Sequence, residues 1–235
     1  MRCLLLSASR EGDSPYLAHA LPFIDRFVHA DERELLFVPY AGVTIGWDQY
    51  TDKVREALAP LGFTVRGIHE FDDARAAVAN AKCIAVGGGN TFRLLSELYA
   101  QGLVEAIPAA LAKGTPYLGW SAGSNVAGKS IRTTNDMPIT EPPSFTAMGL
   151  LPFQLNPHYT DYQPPGHNGE TRAERLAEFL ALNPDEFVFA LPEGTALERQ
   201  GDSLVLRGEK GGLLLRAGQD IERFEQDADL SALLK

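Results

Sequence analysis

Short apolar runs dominate the first half of the chain, each separated from the next by a stretch of helical spacing, and few folds accommodate that alternation. Residues 1–7, 35–40, 63–68 and 83–86 read as buried strands, and 115–118 continues the series. Between them, 18–28 (behind Pro15), 48–58 and 72–79 carry helical spacing. A strand that is apolar along its whole length must be covered on both faces, the burial pattern of a parallel sheet sandwiched by helices. The expected fold class is α/β, a mostly parallel sheet with helices on both faces. Residues 197–216 alternate with Gly-containing turns and predict antiparallel strands toward the C-terminus. The acidic stretch after Asp220 is expected to be peripheral. No repeat, low-complexity tract or linker interrupts the 235 residues, so the chain is read as one domain, 1–235, long enough to bury a core.

Open α/β sheets bind ligands beyond the carboxyl ends of their strands. Two such ends carry glycine-rich turns. Strand 83–86 runs into Gly87-Gly88-Gly89-Asn90-Thr91 before a helix at 92–100. The run at 115–118 leads into Gly119-Trp120-Ser121-Ala122-Gly123 and a helix expected at 122–128. A serine between glycines at a strand-to-helix turn fits a nucleophile elbow, which lifts the hydroxyl out of the sheet. The following helix would aim its positive end at a developing oxyanion. The Gly87–Gly89 loop admits a phosphate cradle, a plain tight turn, or one oxyanion donor paired with the Ala122 N–H. Neither Gly-x-Gly-x-x-Gly nor a P-loop lysine is present to favour the phosphate.

A serine hydroxyl needs a base held by a third group. Of the five histidines, His19 and His29 fall in the first helix and His69 follows the third strand, where packing or surface roles suffice. His167 lies in the loop 163–169 and could touch substrate. His158 ends the short strand 153–159, with Pro157 restricting the backbone before it, and is the candidate base. Glu193 ends the strand at 187–191 and is the candidate acid; Asp136, in the polar irregular stretch 131–143, is its rival. The order Ser-His-acid is not that of α/β hydrolases.

A formal charge of −10 argues against a nucleic-acid partner. No run reaches membrane-spanning length and none has signal-peptide form, so a cytoplasmic location without membrane attachment is expected. Cys3 and Cys83 sit in apolar runs and read as buried thiols with no disulfide.

The stretches Val86-Gly87-Gly88-Gly89-Asn90-Thr91-Phe92, Gly119-Trp120-Ser121-Ala122-Gly123, Arg132-Thr133-Thr134-Asn135-Asp136-Met137-Pro138, Asn156-Pro157-His158 and Leu191-Pro192-Glu193-Gly194, in that order, resemble the peptidase E family, serine peptidases grouped with cyanophycinase. The resemblance fades toward the C-terminus. It implies a fold like the class I glutamine amidotransferase domains, hydrolysis of dipeptides with an N-terminal aspartate, and no metal or organic cofactor. It also implies Ser121 as nucleophile, His158 as base, and Glu193 or Asp136 as third member. Glu193 is favoured because it sits at a strand end, leaving Asp136 to position substrate, for instance at its α-ammonium. Gly89 and Ala122 are the implied oxyanion donors. Ser124 stands where a small apolar residue such as Ala is expected. An aspartate side chain entering an acidic protein requires a fixed cation, and Arg172 and Arg132, then His167, are the candidates. Asn90 joins them as a substrate-binding candidate. The partner is thus a small peptide, with the protein a monomer or homodimer. A cyanophycinase-like action on β-Asp-Arg and a non-catalytic small-ligand module are the alternatives.

Overall fold

A computed structural model describes residues 1–166 and 168–235. In chain order its elements are β1 Arg2–Leu6, α1 Leu21–Phe27, β2 Glu34–Val38, α2 Trp47–Leu58, β3 Thr64–Gly67, α3 Ala74–Ala79, β4 Cys83–Val86, α4 Thr91–Ala100, α5 Leu103–Ala112, β5 Tyr117–Trp120 and α6 Ala122–Asn125. There follow β6 Gln154–Tyr159, α7 Arg172–Leu182, β7 Phe187–Pro192, β8 Ala196–Gln200, β9 Ser203–Arg207, β10 Gly212–Arg216 and β11 Glu222–Phe224.

Because strand side chains alternate, each apolar strand feeds two cores. Cys3 and Leu5 of β1 enter one core with Leu36, Val38, Ile84 and Val86. Leu4 and Leu6 enter the other with Leu35, Phe37, Cys83 and Ala85. Helices α3, α4 and α5 cover the first face through Val78, Leu94, Leu98 and Ile107. Helices α1 and α2 cover the second through Ile24, Phe27, Val54 and Leu58. Both cysteines are free, buried thiols, and burial pushes Cys3 up to about 12.

The resulting sheet has the order β3-β2-β4-β5-β1-β8-β9. Its first five strands are parallel, and β8 and β9 run antiparallel at the edge, as the sequence predicts. Neighbouring β1 and β5 are followed by helices on opposite faces of the sheet, so their carboxyl ends flank a crevice. The sequence does not reveal the second sheet, β11-β10-β7-β6. One of its faces joins the first core through Leu155, Phe189 and Leu191, and α7 covers the other through Leu176 and Leu180.

Two local expectations are revised, and one helix has no counterpart in the sequence. Helix α5 escapes the sequence reading because Pro108 lies inside it, and a proline ordinarily signals a break. Burial of Leu103, Ile107 and Leu111 holds the segment helical. The helix expected at 122–128 closes after Asn125. The acidic tail is not merely peripheral: β11 completes the second sheet, and Leu230 is buried in the first core.

One buried charge cluster pins the sheet edge. The Glu198 carboxylate, almost fully buried, accepts from Arg207 Nε at 2.8 Å, Gln200 Nε2 at 2.8 Å and Arg26 Nη2 at 3.1 Å. Burial alone would raise this carboxyl, but the bonds from Arg207 and Gln200 bring it below its ordinary value. A depressed folded-state pKa contributes stability above the unfolded-state pKa that is lost as pH falls through the folded one. Arg207→Met, which leaves the buried carboxylate only Gln200 and Arg26 among the described residues, is expected to cost about 2 kcal/mol in urea unfolding at pH 7. The cost should shrink in acid; a loss unchanged at pH 3 would point to packing instead.

Among the described residues, no helix is long and apolar enough to cross a membrane.

Candidate active site

The turn after β5 puts Ser121 at φ 54°, ψ −115°, a conformation ordinary side chains avoid. The adjoining glycines make the turn possible: a Cβ on Gly123 would sit 2.0 Å from the Val86 carbonyl oxygen. Ser124, the departure from the expected small apolar residue, is fully buried and donates its hydroxyl to Leu6 O at 2.6 Å, so the polar atom is satisfied.

Ser121 Oγ lies 2.9 Å from His158 Nε2, and His158 Nδ1 lies 2.7 Å from Glu193 Oε1. A carboxylate only accepts, so this arrangement puts the imidazole hydrogen on Nδ1 and leaves Nε2 to accept the serine proton. His158 reaches the elbow because β6 bulges there. The pairing with β7 slips between Pro157 and Tyr159, and His158 takes φ 56°. A bulge re-aims one side chain out of the strand alternation.

Ser7, buried at the end of β1, braces that bulge: its hydroxyl accepts from the His158 N–H at 2.9 Å and donates to Leu191 O at 2.7 Å. Three strands are thus tied at the His158 backbone by one hydroxyl that the sequence does not single out. Its only signal was a polar residue closing the apolar run of β1.

Asp136 sits elsewhere. Its Oδ2 accepts from the Thr91 N–H at 2.7 Å and the Thr91 hydroxyl at 2.6 Å, at the start of α4. Asn90 caps the same helix, accepting from the Arg93 N–H at 3.0 Å and donating to Met137 O at 2.9 Å. Together they lock the 131–137 stretch to the glycine loop.

The loop itself is pressed against the elbow. A Cβ on Gly88 would lie 2.8 Å from that of Ser121, and Gly89, at φ 139°, would clash with Ala41 O at 2.2 Å. Tyr50 donates its phenol to Gly88 O at 2.9 Å and meets Tyr16 and the Trp120 indole N–H, at 3.1 and 3.3 Å. Burial raises both tyrosines above their ordinary values, keeping them protonated donors. Since Gly88 O and the Gly89 N–H share one peptide plane and point oppositely, holding the oxygen fixes where that N–H aims. Neither the Gly89 nor the Ala122 N–H has an acceptor among the described residues.

A cleft of about 500 Å³ opens beside Ser121 and His158, with Gly88, Gly89 and Asn90 in its wall. Arg172, at the start of α7 and near Tyr159, does not line this cleft; it is half-buried with Nη1 unpartnered among the described residues. Burial and nearby Arg175 lower its pKa. Arg132 is not brought to the cleft: its guanidinium bonds Asn183 Oδ1 at 2.8 Å and lies over the Phe179 ring. His167 lies outside the described residues. Of the remaining histidines, His29 is exposed, His69 bonds Asp48 at 2.8 Å, and His19 is half-buried with its pKa lowered by burial. No group of three or more His, Cys, Asp or Glu suited to a metal ion occurs among the described residues.

The model of peptidase family S51 matches residues 3–207. "Peptidase E" of Shewanella amazonensis is 57% identical over 235 residues, covering 100% of this chain and 99% of the relative. "Peptidase E" of Shewanella oneidensis is 53% identical over the same span, again with 99% of the relative covered. A solved peptidase from an acI-B1 Actinobacterium superposes with a TM-score of 0.71 at 18% identity, over 97% of this chain and 96% of that one, and at that identity speaks for the fold alone. With the family model spanning most of the chain and relatives identical at more than half of all positions, the chain belongs to peptidase family S51.

Proposed function

We propose that the protein is a serine-type dipeptidase that removes an N-terminal aspartate from Asp-Xaa through an acyl-enzyme. The hydrogen-bonded line Ser121–His158–Glu193 carries this reading. Ser121 Oγ attacks the scissile carbonyl carbon while His158 Nε2 takes its proton, and Glu193 stabilises the imidazolium. The oxyanion is received by the Gly89 and Ala122 N–H groups. His158 then returns the proton to the leaving amine, and the aspartyl ester on Ser121 is hydrolysed by a water that His158 deprotonates. Asp136 acts through Thr91 and the glycine loop, with Asn90 beside it. We place the activity in the cytoplasm, on small peptides.

Arg172 is the cation for the substrate's aspartate side chain: it lies near Tyr159, the neighbour of His158, and its half-buried guanidinium, with Nη1 unpartnered among the described residues, has desolvation to recover by binding a carboxylate. Arg172→Met is expected to lower kcat/KM on Asp-Leu by about 10- to 100-fold and on Ala-Leu far less. Equal losses would remove Arg172 from the specificity pocket. The reading as a whole is tested on Asp-, Glu-, Asn- and Ala-Leu beside β-Asp-Arg. Asp-Leu should be cleaved fastest; preference for β-Asp-Arg, or indifference to the first residue, would overturn it.

A further inference from the structure

The cleft beside Ser121 contains one cation that the mechanism above does not use. Lys53 lines it together with Tyr16, Val43, Ile45 and Ile139. It lies three residues after Tyr50 on α2, hence on the same helix face as the phenol that holds the glycine loop. Its ammonium sits 4.3 Å from the centroid of the Tyr16 ring. Tyr16 is itself fixed by the Trp120 indole N–H at 2.9 Å, one residue before Ser121. A ring face orients an ammonium without neutralising it. No carboxylate pairs with Lys53 among the described residues, although acidic residues outnumber basic ones 31 to 21. A positive charge is thus held, uncompensated, in the pocket that contains the reacting serine.

A dipeptide with an N-terminal aspartate carries two carboxylates. The proposed function assigns the side-chain one to Arg172 and leaves the other without a partner. The second is the terminal α-carboxylate, attached to the carbon next to the leaving nitrogen, so it must remain in the same cleft. A longer peptide places a neutral amide there. Resting on the peptidase reading above, we infer that Lys53 binds the free C-terminal carboxylate of the dipeptide and so restricts the enzyme to two-residue substrates. Val43 and Ile139, more than half exposed on the same cleft, offer the second side chain an apolar surface.

The test compares Asp-Leu, Asp-Leu-amide and Ala-Leu as substrates for the parent enzyme, Lys53→Met and Lys53→Arg. The parent should prefer the free acid over the amide by about 10- to 100-fold in kcat/KM, the range of a hydrogen bond to a charged group. Lys53→Met should collapse that ratio to near one, acting on KM, and Lys53→Arg should restore most of it. A ratio that survives Lys53→Met overturns the inference. So does loss of the Asp-Leu over Ala-Leu preference, which would put Lys53 on the aspartate side chain instead. Hydrolysis of Asp-Leu-amide that needs Ser121 keeps the parent reading intact in either case; a parent enzyme that cleaves neither Asp substrate would end that reading itself. Matching thermal unfolding curves for the three proteins exclude a folding defect as the cause.

Discussion

Ser121→Ala is expected to reduce kcat on Asp-Leu by about 10⁵- to 10⁶-fold while leaving the thermal midpoint within a degree or so of the parent. The rate falls that far because the nucleophile and its base work as one unit, and what remains comes from binding and the oxyanion donors alone. Stability should survive because alanine keeps the Cβ, so the elbow's unusual backbone at φ 54° is no worse accommodated than before. Among the described residues, the one bond lost is that to His158 Nε2. A fluorophosphonate should label the parent at Ser121 and leave the variant unlabelled, since that reagent needs an activated hydroxyl. Activity within tenfold of the parent, or labelling at another serine, would move the chemistry away from this elbow.

Ser121, His158 and Glu193 could be singled out in the sequence because each closes an apolar run, and a strand end is a local property of the chain. That β1 to β5 lie parallel followed from the same runs, since strands buried on both faces have few ways to be covered. What stayed hidden depends on partners far apart in the chain. Ser7 matters because β1 ends beside a bulge 151 residues away. Tyr50 matters because its phenol meets Gly88, 38 residues on. Nothing in the spacing of 154–159 announces that His158 will break the alternation of β6, because the bulge is defined by pairing with β7. Arg132 misled for a similar reason. Its place in a polar irregular stretch was legible, but its capture by Asn183 and Phe179 was not. Asp136 and Glu193 both looked like acids able to orient a base, and only the fold separates their partners.

That separation makes the second large effect a comparison. Glu193→Gln should lower kcat by about 10³- to 10⁴-fold with little change in KM. Glutamine fits the same space but can turn its amide N–H₂ toward Nδ1. That drives the imidazole hydrogen to Nε2, where it can no longer accept from Ser121. Because the Glu193 side chain is 46% exposed, water can take over part of the carboxylate's role, which favours the lower end of that range. Asp136→Asn removes a charged acceptor from the first N–H of α4, so it should cost about 1 kcal/mol of stability, with the kcat loss held to about tenfold. Gel-filtered, correctly melting samples of both variants assayed side by side decide between the two acids. Were Asp136→Asn to lose a thousandfold and Glu193→Gln less than ten, the imidazole would have to swing toward Thr91 during turnover. The 2.7 Å contact to Glu193 would then describe a resting arrangement rather than the working one.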